Sequence, residues 1–174
     1  MLEHGLRSDQ LYDGRKLRAL TLIYAFTCEC LAIWVDQGSR GEHVVTVVDT
    51  VSAERGAPRR IQVDNGPEFV SKGLDRWAYE PQVELAFSRP GKPTDNAFIE
   101  AFNGRLRQEC LSQHWFLRLA DARSKIEAWR QAYNETRPHG ALGWATPAEF
   151  ARRCLQADVI TCSKDPENSA SEQF

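Results

Sequence analysis

The chain has 174 residues, 42% of them apolar and 26% charged, which suits a single folded domain with a closed core and argues against disorder. No apolar run approaches the roughly 20 residues needed to span a bilayer, and Met1-Leu2-Glu3-His4-Gly5 lacks the basic and apolar regions of a signal peptide, so a cytoplasmic protein without a membrane partner is expected. The net charge of −2 excludes a strongly basic grip on nucleic acid, but −3 of it lies in residues 155–174, which leaves the body at +1 and able to present a local phosphate-binding face.

The predicted elements run as follows. Tyr12-Asp13-Gly14-Arg15 is a turn signal, with a short strand before it. Leu17–Phe26 and Cys30–Val35 read as the two strands of a hairpin. Residues 42–55 carry Val44, Val48 and Val51 at helical spacing inside a β-prone Val-Val-Thr-Val-Val run; the length and the following Gly56 favour helix. Arg60–Val63 is a strand broken by Asp64-Asn65-Gly66-Pro67, residues 71–80 are helical, and Val83–Phe87 is a strand. A helix starts near Thr94 or Asp95, with Ile99, Phe102, Leu106 and Cys110 on one face. Another covers about 120–136, with Ala122, Ile126, Trp129 and Tyr133 inward, and Thr146-Pro147 opens a short last helix. The order predicts an α/β fold in which a mixed sheet is covered by helices over residues 1–153, followed by a polar, disordered tail over 154–174. Five cysteines without a C-x-x-C pair read as reduced thiols, and Cys110 with His114 offers too few ligands for zinc.

Two carboxylates stand out. Asp64 ends an apolar strand, where α/β proteins place groups facing a ligand crevice; an Asx-turn that only shapes the loop is the plainer alternative. Glu100 lies one turn into its helix, in a polar stripe with Asn96, Asn103 and Arg107, which also suits an ordinary solvated face. The pairing distinguishes them: 35 residues separate Asp64 from Glu100, each inside its own motif.

Val63-Asp64-Asn65-Gly66-Pro67-Glu68-Phe69 and Asn96-Ala97-Phe98-Ile99-Glu100-Ala101-Phe102-Asn103 resemble the second and third signatures of the DDE transposases and retroviral integrases. Tyr133-Asn134, Arg137-Pro138-His139, Leu142 and Thr146-Pro147-Ala148-Glu149-Phe150 resemble downstream signatures of the insertion-sequence branch, and the likeness runs from about residue 8 to 153. The resemblance implies a ribonuclease-H-like fold and metal-dependent DNA strand cleavage and transfer. It implies two Mg²⁺ or Mn²⁺ ions, with Asp64 and Glu100 as catalytic metal ligands. In-line displacement at a phosphodiester explains the residue types, because paired ions can activate the attacking oxygen and stabilise the leaving one. The partners implied are DNA, as transposon ends and target, and a homo-oligomer or an upstream helix-turn-helix region. Asn65, Asn96, Asn103 and Arg107 are the implied DNA contacts, joined by Arg89 and Lys92 on the ground of charge and loop position.

The likeness breaks at the front. The family's first strand carries Trp-x-x-Asp before a segment like Ser8-Asp9-Gln10-Leu11, and alignment on that segment puts Gly5 at the Asp position. Met1–Arg7 read as sequence foreign to the family, so an N-terminally truncated core without its first metal ligand is expected. Asp9 lies four residues away, about 13 Å along a strand, and would serve only after a register shift. Tyr24 and Cys28 stand where relatives commonly have Asp and Arg. Three functions remain open: a transposase core with impaired chemistry, a non-catalytic remnant that binds DNA or intact transposase and interferes with it, and a nuclease of the same fold, against which the Arg137-Pro138-His139 signature argues.

Overall fold

The computed structural model describes residues 1–38, 40–66, 68–89 and 97–162, apart from the side chains of His4, Leu6, Arg7, Ser8 and residues 157–162. Five strands form a single mixed sheet: β1 (Leu2–Gln10), β2 (Lys16–Tyr24), β3 (Glu29–Asp36), β4 (Arg60–Val63) and β5 (Glu84–Phe87), in the spatial order β3-β2-β1-β4-β5. The first three strands are antiparallel, whereas β4 runs parallel to both β1 and β5. Five helices complete the fold: α1 (Gly41–Arg55), α2 (Lys72–Tyr79), α3 (Ala97–Glu109), α4 (Leu119–Thr136) and α5 (Pro147–Cys162).

Strand alternation builds two cores, one on each sheet face. Leu17, Ala19 and Ile23 of β2 point to one face, where they meet Ile99, Phe102 and Leu106 of α3 and Ala122, Ile126 and Tyr133 of α4. Leu20 and Leu22 point the other way, with Leu2, Ile61 and Val63, onto Val44, Val47, Val48 and Val51 of α1 and Leu74 of α2. The valine-rich segment is therefore a helix: its apolar residues fall at i, i+3, i+4 and i+7, one stripe against the sheet. At α5, Thr146 Oγ1 accepts the Glu149 N–H at 3.2 Å while the Glu149 carboxylate accepts the Thr146 N–H at 3.0 Å, a reciprocal cap with Pro147 in the first helical position.

At the chain ends the elements are longer than the sequence reading expected. The strand before Tyr12 includes most of Met1–Arg7. Leu2 to Gln10 form the central strand, paired with β2 along its whole length from Leu2↔Tyr24 to Gln10↔Lys16. The last helix continues past residue 153 to Cys162, into the predicted tail; residues 163–174 lie outside the described residues, as do Thr94 and Asp95 at the expected start of α3.

β3 lies at an edge of the sheet and presents backbone groups that need partners. α4 supplies them with side chains. Asn134 donates through Nδ2 to the Cys30 carbonyl and accepts the Cys30 N–H on Oδ1, both at 2.9 Å. Arg130 donates to the same carbonyl at 2.8 Å, and Arg123 donates to the Val35 carbonyl at 2.9 Å. Asn134 is buried, so replacing its amide with an apolar group strands the Cys30 N–H away from water. We expect Asn134→Leu to lower stability by about 2–3 kcal/mol in urea denaturation; a loss below roughly 0.5 kcal/mol, the range of ordinary surface changes, would show that the bonds contribute little.

Candidate active site

Three elements converge on one stretch of β1. Leu2 and Glu3 are level with Ile61 and Gln62 of the parallel neighbour β4, and continuing this register by two residues sets Gly5 level with Asp64. Ile61 and Val63 face α1 and α2, so alternation turns Asp64 to the opposite face, toward α3. α3 sits on that face directly over Gly5. A Cβ built on Gly5 would stand 2.5 Å from Asn103 Nδ2 and 3.0 Å from Ile99 Cγ1. Glu100, next to Ile99, is exposed on the same turn. Asp64 thus follows the strand that runs beside β1, and Glu100 is next in sequence to Ile99, which α3 sets against Gly5.

α3 approaches β1 closely where position 5 has no side chain. Asn103 fills the space. It is 3% exposed, and the Thr21 hydroxyl lies 3.1 Å from both its Oδ1 and the Gly5 carbonyl, donating toward the pair. The expected DNA contact at Asn103 is corrected here, because the side chain is locked in the interior and does not reach solvent. Position 103 follows Ile99 by four residues and so shares its inward face.

The other predicted residues have separate placements. Asp64 is exposed, and its Oδ1 accepts the Asn65 N–H at 2.7 Å in a tight Asx-type turn. Asn65 Nδ2 donates to the Ser88 carbonyl at 2.7 Å, tying the ends of β4 and β5 together; its amide donor is thus committed to the loop. Arg89 is exposed just beyond β5, and Arg107 is exposed on α3 without an ion pair among the described residues. Lys92 and Asn96 lie outside the described residues. The unbroken β1–β2 register leaves Asp9 level with Leu17, far along the strand from Gly5, so the register shift it would need does not occur. Among the described residues, no three His, Cys, Asp or Glu side chains are grouped to hold a metal ion.

Two carboxylates near the site were not singled out in the sequence. Glu68 is buried and folds over Gly66, where an added Cβ would meet its Oε1 at 2.6 Å; this gives the Asp-Asn-Gly-Pro-Glu segment a packing reason for its glycine. Glu3 is 4% exposed, on the Gly5 face of β1 and beneath the start of α3. Burial raises its pKa above the ordinary value, a bond from the Ile99 backbone N–H opposes the rise in part, and Oε2 has no partner among the described residues. The only cue in the sequence was a lone Glu two residues from the glycine at the critical position.

The raised pKa sets a pH dependence. Below the ordinary carboxyl value the group is neutral in both states and has no effect. As pH rises past it the unfolded chain ionises first, and stability falls until the folded carboxyl ionises as well. We expect Glu3→Gln to raise stability by about 1 kcal/mol near pH 7.5, roughly 2–4 °C in melting temperature, with no gain near pH 4. An equal gain at both pH values would show that Glu3 is not the ionising group responsible.

The comparisons with known proteins agree with this architecture. Two integrase core domain models match, over residues 7–93 and 81–147. An uncharacterized protein of insertion element IS407 from Burkholderia multivorans is 49% identical over 145 residues, spanning 83% of this chain and 52% of the relative. One of insertion element IS476 from Xanthomonas euvesicatoria is 45% identical over 143 residues, 82% of this chain and 41% of the relative. The chain thus spans about half the length of these relatives or less. Among solved structures, the HTLV-2 integrase catalytic core domain in complex with magnesium superposes with a TM-score of 0.68 at 13% identity, over 86% of this chain and 93% of that one. The simian T-cell lymphotropic virus intasome gives 0.74 at 14% identity, over 99% of this chain and 58% of that one. The fold is therefore the ribonuclease-H-like fold of integrase cores, and the chain belongs to the integrase core domain family as a catalytic core of the insertion-sequence DDE transposase type.

Proposed function

We propose that this chain is a DNA-engaging transposase core whose strand cleavage and strand transfer are impaired because Gly5 stands where the first metal-binding carboxylate is required. The observation that supports the proposal is the β1–β4 register, which, continued two residues past its last pair at Glu3↔Gln62, sets Gly5 level with Asp64, under the helix that bears Glu100. A pair of divalent ions about 3.5–4 Å apart needs carboxylates that share them. Asp64 and Glu100 are the donors this reading assigns, and the space above Gly5 holds the Asn103 amide. These groups do not fit a two-ion cage. Asp64 and Glu100 remain the residues through which weaker binding of Mg²⁺ or Mn²⁺ would act. The partners we assign are DNA, as transposon ends and target, and a further copy of the core.

The residues of this site predict what restores it. A side chain at position 5 meets the end of Asn103 and Ile99 Cγ1, both side-chain atoms, so Gly5→Asp is expected to fold once these shift, with the Asn103 contact to Thr21 altered. In calorimetric titration with Mn²⁺, we expect the unaltered chain to bind weakly or not at all. Gly5→Asp should bind at least roughly ten-fold more tightly, about 1.4 kcal/mol, and adding Glu100→Gln should abolish the gain. Tight Mn²⁺ binding by the unaltered chain, removed by Glu100→Gln and accompanied by strand transfer, would overturn the impairment.

A further inference from the structure

The loop between α4 and α5 carries a residue that the strand chemistry leaves unused. Trp144 is 78% exposed and has φ 66°, a left-handed backbone. For a bulky side chain this is a true outlier, and such strain persists where the surroundings impose it. Here they do. The Trp144 N–H donates to the His139 carbonyl at 2.9 Å, the His139 N–H to the Ala145 carbonyl at 3.0 Å, and the Gly143 N–H to the Gly140 carbonyl at 3.2 Å. Leu142 and Ala145, on either side, are buried with Cys28 and pack against Phe98 of α3 and Phe150 of α5. The loop is a fixed mount from which the indole projects.

The mount stands on the same helix as Glu100, and that helix carries uncommitted positive charge beside it. Arg105 lies two turns beyond Phe98, is exposed, and makes no hydrogen bond or ion pair among the described residues. Glu109, its i+4 neighbour, is taken by Arg137 and by the Trp129 indole N–H at 3.2 Å. Arg105 reaches the loop electrostatically: burial chiefly, then the charges of Arg105 and Arg137, hold the His139 pKa below its usual value. A protein-docking anchor would lie in a desolvated pocket. An exposed indole on a rigid loop, with the Arg105 charge reaching His139 of the same loop, suits an unstacked base with its phosphate, since every base offers a π-face and stacking ignores sequence.

We propose that Trp144 is a stacking platform for an unpaired DNA base, with Arg105 on the adjoining phosphate. This rests on the DNA-engaging reading above and does not depend on the metal chemistry. It is tested without metal, by fluorescence anisotropy in EDTA, with a blunt duplex and the same duplex bearing an unpaired end of about three nucleotides. We expect the unaltered chain to prefer the unpaired end. Trp144→Ala should weaken that complex about ten-fold and leave the blunt one unchanged, whereas Trp144→Phe should keep most of the preference. Arg105→Gln should weaken both and lower the salt slope by about one charge. Trp144→Gly, which relieves the left-handed strain, should lose the preference while melting no lower than the unaltered chain. Equal effects of Trp144→Ala on both duplexes, or a lower melting temperature for Trp144→Gly, would overturn the stacking role. If the unaltered chain binds neither duplex, the DNA-engaging reading fails and this proposal falls with it.

Discussion

The position of α4 against the edge of β3 governs the geometry of the rest. Asn134 completes the backbone of Cys30 as a neighbouring strand would, and Arg130 and Arg123 extend the attachment along the edge. α4 in turn fixes α3. Tyr133 meets Phe102 edge to face with ring centroids 5.0 Å apart, and Arg137 pairs with Glu109 at the far end of α3. Glu100 is thus placed by a relay from a sheet edge through two helices. The downstream signature around Tyr133, Asn134 and Arg137 has a mechanical meaning in this relay, since each of the three holds one of its joints.

At the other end of the relay, the sheet meets α3 across a glycine. The small residue lets the helix settle, the Asn103 amide occupies the gap, and Thr21 holds both. A carboxylate there would need either a cation or a proton to be tolerated so close to Asp64 and Glu100. Gly5 places no charge at that position. Glu3, two residues deeper, shows the alternative outcome for an acid on this face: buried without an opposing side-chain cation among the described residues, it is pushed toward its neutral form.

Much of this was legible in the sequence where local signals and packing agree. The stripe Ile99, Phe102, Leu106 and Cys110, the Thr146-Pro147-Glu149 cap and the β2–β3 hairpin each carry their own instruction, and the structure follows them. Asp64 and Glu100 were legible as a pair through their motifs and the 35 residues between them. Other features depended on contacts that no local pattern contains. β1 has a polar, irregular sequence, and it is a strand because it lies between two partners. Asn103 looked like part of a solvated stripe. Its burial follows from a missing side chain almost a hundred residues earlier in the chain.

The helix α1 has a consequence for how the molecule assembles. Its run of valines and threonines has poor intrinsic helicity, since β-branched side chains lose rotamer freedom there, and an isolated segment of 15 residues from this composition would not hold a helix in water. Its helical state is conferred by the sheet face that buries Val44, Val47, Val48 and Val51. The helix is therefore only as secure as its docking: a change that loosens the sheet face from α1 withdraws the support of the helix and leaves a β-prone stretch of the kind that pairs with other chains.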